Sequence, residues 1–254
     1  MLARADIHGM RFRFKVEDSV GRHIFKHGTY EAPSTRWLIE NLVLAPGDVA
    51  LDIGANIGWY SILLHKQASP GATIFAFEPD PLNFRLLSEN LALNDAHQVQ
   101  ALERAIGETS ARLKLHLYDA KNLGRHSLLP INHGSSIDVQ AISVDGFLKQ
   151  RRLRPERVRF VKMDVEGYEL FVLRGMVTLL EHSPMILAEY SPQTMRKSGL
   201  DPASVLETFA KHGFAAHAIG ATGLHSQPME GLAASDSTLD LVWIKRGVRP
   251  QTPS

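Results

Sequence analysis

Cysteine is absent from the 254 residues, which removes disulfides, thiolate metal sites and cysteine nucleophiles together. Neither sign of charge prevails: 28 Lys and Arg stand against 27 Asp and Glu. These are spread along the chain, so the electrostatic footprint of a nucleic-acid binder is missing. The one basic cluster, Arg151, Arg152, Arg154, Arg157 and Arg159, reads most simply as a solvated connection ahead of a strand. No apolar run approaches the length of a membrane span, and the first eight residues lack the apolar core of a signal peptide. The expectation is a cytoplasmic protein without a membrane span or a nucleic-acid partner. Internal repeats are also missing. With 44% hydrophobic and 22% charged residues, the composition is that of an ordinary α/β domain with ample material for a core.

What is there is organised around residues 49 to 60. Val49, Leu51 and Ile53 suit a buried parallel strand, and Gly54 and Gly58 let the backbone turn sharply and approach a ligand. The helix from about Ile57 to Gln67 then points its first amides into the turn. The spacing is Gly-x-Asn-x-Gly, with Asn56 between the glycines, where a dinucleotide fingerprint would be Gly-x-Gly-x-x-Gly. Asp52 stands two positions before the first glycine, an unfavourable neighbour for a pyrophosphate and a favourable one for an ammonium or sulfonium. Glu78 closes a second apolar strand, Ala72 to Phe77, where a carboxylate can grip the two hydroxyls of a ribose. A cationic ligand with a ribose and no phosphate fits S-adenosylmethionine better than NAD.

Three motifs follow in order: Leu51-Asp52-Ile53-Gly54-Ala55-Asn56-Ile57-Gly58, then Phe77-Glu78-Pro79, then Lys162-Met163-Asp164-Val165-Glu166-Gly167-Tyr168-Glu169. Together they resemble the FkbM family of S-adenosylmethionine-dependent methyltransferases, over roughly residues 19 to 245. The resemblance implies a class I Rossmann-like methyltransferase fold, with a seven-stranded, mostly parallel sheet, helices on both faces and a final antiparallel pair. It also implies O-methylation of a hydroxyl on a sugar, glycolipid or natural-product scaffold. The alternatives are an NAD-linked oxidoreductase on a similar sheet, and a cofactor-binding protein without catalysis.

In order along the chain, residues 1–33 form a lead-in, with a hairpin or edge element over 9–30. Residues 34–246 form the main domain and 247–254 a tail. Val99 to Ile106 reads as a third strand. Ala111 to Tyr118 and Ile137 to Val144 read as an inserted antiparallel piece flanking a loop at 119–136, and Val158 to Met163 as the fourth strand. Long irregular loops are often binding loops, which makes Asn122, His126, Ser127 and His133 substrate-side candidates.

The resemblance assigns Tyr30 and Glu31 to a segment closing over the cofactor, and Arg104 and Ala105 to the adenine side. Asp52, Gly54, Asn56, Gly58, Glu78 and Pro79 complete the cofactor set, with Asp164 at its edge. Asp164, Glu166 and Glu189 cluster at strand ends, where ligands bind in open parallel sheets. An alcohol acceptor must shed a proton as the methyl arrives, so these three are the candidate catalytic acids, with Asp164 foremost and Lys162 placed to tune it. The same three could hold Mg²⁺, although no metal-ligand spacing marks a site.

Overall fold

The structure, a computed structural model, describes residues 2–118, 126–130, 134–182 and 184–247. The alternation of Phe12 and Phe14 with arginines produces a hairpin of β1 (Leu2–Ile7) and β2 (Met10–Lys15), with both phenylalanines buried. The hairpin stops earlier than the sequence pattern predicts. Asp18 accepts the Val20 and Gly21 amides and starts α1 (Ser19–His27), satisfying donors that a new helix leaves open. A second helix, α2 (Ala32–Asn41), leads to the central strand.

That strand, β3 (Val49–Ile53), is buried at all five positions. It is followed by α3 (Trp59–Lys66), β4 (Thr73–Phe77), α4 (Pro81–Leu93) and β5 (Val99–Leu102). Asp80 caps α4 by accepting the Leu82 and Asn83 amides, with Pro81 at the first helical position. Two buried asparagines, Asn90 on α4 and Asn94 at its C-cap, take the place of a strand along β2. Asn90 accepts from the Arg13 amide at 2.7 Å and donates to the Arg13 and Ile57 carbonyls, and Asn94 does the same with Arg11.

The single strand expected over 99–106 is broken. The Arg104 amide turns back to the Leu102 carbonyl, and β6 (Ala105–Ile106) joins a separate small sheet with β7 (Ala111–His116) and β8 (Ser136–Ile142), in the order β6-β8-β7. The expected antiparallel insertion is thus present as β7 and β8.

After α5 (Val144–Arg151) come β9 (Val158–Met163), α6 (Glu169–Arg174), α7 (Val177–Glu181) and β10 (Met185–Tyr190). The chain continues through α8 (Pro192–Lys197), α9 (Ala203–Lys211), β11 (Phe214–Gly220), β12 (Gly223–Gln227), α10 (Met229–Ala234) and β13 (Leu239–Lys245). The main sheet runs β12-β11-β13-β10-β9-β3-β4-β5. Its β10-β9-β3-β4-β5 half is parallel and the remainder antiparallel. Among the described residues this sheet has eight strands and not seven, because the polar connection between β11 and β13 folds back as β12 and pairs along the edge.

Helices cover both faces. One apolar cluster gathers Phe147, Leu170, Leu173, Val205 and Phe209, the other Trp37, Leu38, Leu63 and Leu87. Among the described residues, no helix is long and apolar enough to cross a membrane.

Candidate functional site

The site grows from the turn after β3. Gly54 has φ +82°, and a Cβ built on it would lie 1.8 Å from the Asp164 carbonyl oxygen; only glycine fits. The Gly54 and Ala55 amides both donate to the Phe77 carbonyl, and the Asp164 amide donates to the Ile53 carbonyl. The ends of β3, β4 and β9 are therefore drawn together. Asn56 takes the left-handed conformation at φ 51°, its Oδ1 accepting the Ile57 amide. Gly58, at φ +93°, opens α3, and a Cβ there would press on Leu87 Cδ1 at 2.7 Å.

These strand ends border a cavity with about 860 Å³ of free space, counting its open mouth. Gly54, Asn56, Glu78 and Pro79 line one side, Arg104 and Ala105 a second, Asp164 and Glu166 a third, and Tyr30 and His126 complete the rim. Glu78 is buried in the wall, with Oε2 accepting the Asn56 amide at 2.8 Å and Oε1 the Asp80 amide at 2.9 Å. Burial pushes its carboxyl up to about 8, against the pull of those two amides. Each oxygen keeps a lone pair for a further donor, so the wall fits a pair of ribose hydroxyls.

Beneath the opening lies Lys162, its side chain 2% exposed. Its Nζ stands 3.7 Å from Glu31 Oε2, 3.8 Å from Asp164 Oδ2, 3.9 Å from Asp240 Oδ1 and 4.8 Å from the centre of the Tyr60 ring. Burial alone would lower its pKa; the carboxylates of Glu31, Asp240, Asp164 and Glu189 outweigh that and hold it well above the usual lysine range. Asp164 Oδ1, a buried atom, has no hydrogen-bond partner. Burial raises the Asp164 carboxyl, Lys162 draws it back and Asp240 raises it again.

Several expected residues stand elsewhere. Asp52 is 1% exposed and away from the cavity lining, because the alternation of β3 turns it under α3, where Ser61 Oγ donates to it at 2.5 Å. Burial pushes it up to about 6. Glu31 lies outside the lining and accepts from the Tyr60 hydroxyl at 2.5 Å. Gly58 sits behind the wall against Leu87.

Glu189 is half-buried and set back from the lining, raised well above the carboxylate range by burial first and then by Asp164, Glu166 and Glu169. Ser127 is buried, donating to the Glu166 carbonyl and accepting from the Leu129 amide. It holds the loop down and does not face the cavity. His126 does face it, with Nδ1 accepting the Tyr118 amide at 3.1 Å and Nε2 3.9 Å from Asp80. Asn122 and His133 lie outside the described residues. Sequence reasoning missed Tyr60 and Asp240; the acid in the otherwise apolar run Leu239–Val242 was the available signal.

Residues 52–215, more than half of the chain, match the family model described as the methyltransferase FkbM domain. The chain belongs to the FkbM methyltransferase family. Methyltransferase sdnD of Sordaria araneosa is 33% identical over 181 residues, covering 60% of this chain and 68% of that one. Hexuronic acid methyltransferase AglP of Haloferax volcanii is 27% identical over 207 residues, covering 82% and 79%. The 2-O-methyltransferase NoeI of Sinorhizobium fredii is 30% identical over 184 residues, covering 66% and 74%.

The FkbM membership makes the chain an S-adenosylmethionine-dependent methyltransferase on a Rossmann-like sheet and sets aside the NAD-linked reading. The cavity suits that cofactor: the bare turn at Gly54 admits close approach, Glu78 has acceptor capacity to spare, and the net negative group around Lys162 favours a cation. Among the described residues, no three His, Asp or Glu side chains come together as a metal site.

Proposed function

We propose that the protein methylates a hydroxyl of a sugar, or of a glycolipid or natural product carrying one. The observation that carries this reading is the cavity wall itself, where a carboxylate with spare acceptor capacity, Glu78, faces the same space as Asp164. Of the relatives named above, one is by name a hexuronic acid methyltransferase, which names a sugar acid, and one a 2-O-methyltransferase, which names an oxygen acceptor.

S-adenosylmethionine supplies a methyl group on a sulfonium, ready for in-line displacement. The protein must then align an acceptor oxygen, exclude water and receive a proton. In this reading Glu78 takes the ribose hydroxyls, the turn at Gly54 and Asn56 flanks the amino-acid end, and Arg104 and Ala105 border the adenine. Tyr30 and Pro79 close the rim against water. Asp164, on the cavity wall, accepts the proton of the acceptor hydroxyl, with Lys162 3.8 Å from its Oδ2. Glu166 and His126 border the acceptor side, with Ser127 fixing the backbone of Glu166 in its left-handed conformation at φ 52°. Asp52, under α3, supports the turn from behind.

The test is turnover of S-adenosylmethionine with a panel of uronic acids, deoxysugars and lipid-linked glycans, read by mass spectrometry. A gain of about 14 daltons, one CH₂ for a hydrogen, on a hydroxyl supports the reading. Methylation found only on nitrogen or carbon would overturn it.

A further inference from the structure

The family match ends at residues 52 and 215, yet two of the three carboxylates nearest Lys162 come from outside it. Glu31 precedes α2 and Asp240 lies in β13, at 3.7 and 3.9 Å from the ammonium. Both are held from behind. Glu31 Oε2 accepts the Tyr60 hydroxyl, and Asp240 Oδ2 accepts the Ser34 hydroxyl at 2.9 Å. Glu31 itself stands in a left-handed conformation at φ 42°, which a non-glycine residue adopts only when its surroundings hold it there.

Lys162 Nζ has no hydrogen-bond partner, so its distances to the three carboxylates define a shared charge in place of any one ion pair. Removing such a cation would leave three acids, each only 22–24% exposed, facing one another without a counter-charge, which is unfavourable.

We propose that Lys162 is a positioning residue, whose ammonium gathers Glu31 and Asp240 from the two flanks of the chain and keeps Asp164 ionised and turned toward the cavity, ready to take a proton. Asp164 is surrounded from every packed element. Lys162 and Asp240 face it most directly, with Tyr30 and Glu31 ahead of α2, Asp52 on β3, Tyr60 on α3, Glu169 on α6 and Glu189 on β10. Lys162 is the cation among them, so the flanking acids raise the proton affinity of Asp164 while the lysine lowers it. This makes the flanks part of the catalytic device, set against each other through one lysine. The functional part of the inference rests on the reading of Asp164 given above; the electrostatic part stands on geometry.

The experiment follows the Asp164 carboxyl by ¹³C NMR in protein labelled at the aspartate side-chain carboxyl, with Asp164→Asn assigning the signal. In Lys162→Met the titration midpoint should rise by about one pH unit or more, since an opposite charge at this range is worth one to three units. In Asp240→Asn and Glu31→Gln it should fall, because a like charge is gone and the lysine is freer to face Asp164. Opposite displacements from the two kinds of variant cannot arise from general loosening of the site.

A midpoint unmoved in folded Lys162→Met would overturn the inference. If Lys162→Met does not fold, the two acid variants decide, and an unchanged midpoint in both overturns it equally. Calorimetric titration of the same proteins with S-adenosylhomocysteine keeps the two ideas apart. Absent cofactor binding would sink the functional reading and leave the titration result standing, whereas normal binding with an immobile midpoint would sink only the role of Lys162.

Discussion

Glu78 accepts the Asn56 amide at 2.8 Å, and through its other oxygen the Asp80 amide. A single carboxylate at the end of β4 thereby joins the glycine turn after β3 to the cap of α4. Its pKa, pushed by burial from the ordinary 4.5 to about 8, has a consequence for stability. A raised carboxyl binds its proton more tightly in the folded protein, so its contribution is complete below about pH 4.5 and is lost as the pH rises through about 8. Denaturant unfolding of the cofactor-free protein between pH 5 and pH 8.5 should show Glu78→Gln gaining on the wild type as the pH rises. A constant difference across that range would contradict the assignment.

Gly54 and Gly58 should respond unequally to alanine. At Gly58 the methyl meets the mobile tip of Leu87, so the cost is chiefly the left-handed backbone, about 1–2 kcal/mol. At Gly54 it meets the Asp164 carbonyl, which is backbone held by the β3–β9 pairing. Thermal unfolding should find Gly54→Ala clearly less stable than Gly58→Ala, and cofactor affinity lost in the former.

Asp52 should behave as a support and not as a contact. Its partner is Ser61 on α3, so Ser61→Ala leaves a buried carboxyl without its hydroxyl donor, at a cost of about 1–3 kcal/mol. Cofactor affinity, measured by calorimetry on the folded variant, should change less than in any substitution of Glu78.

Asp164→Asn should lower kcat by about 10²–10⁴, with KM for the acceptor nearly unchanged. The amide keeps the shape but cannot take a proton. Steady-state kinetics with the acceptor found in the mass-spectrometric screen decides it; a raised KM at normal kcat would make Asp164 a binding contact only.

The strand ends were legible because their signals are local. Gly54, Asp80-Pro81 and the apolar runs before Glu78 and Asp164 each fix a turn, a cap or a buried strand within a few residues. What escaped depends on distant segments. The side-chain pairing of Asn90 and Asn94 with β2 spans 77 and 83 residues; the Ser34–Asp240 bond spans 206. No periodicity announces such contacts. Asp52 illustrates a related point: its position beside the turn suggests a ligand contact, and in the structure its side chain meets Ser61. The eighth strand was hidden in a polar sequence, since β12 lies at the sheet edge with little buried apolar surface to pattern it.

The central claim is that this cavity holds S-adenosylmethionine with Glu78 in direct contact. Calorimetric titration of wild type and Glu78→Ala with S-adenosylhomocysteine tests it most directly. Measured above pH 8, where the Glu78 carboxyl is ionised, a charge-assisted contact worth about 1.5–3 kcal/mol predicts binding weakened by roughly 10- to 150-fold in a protein that still unfolds cooperatively. Equal affinity in the two proteins would contradict the account.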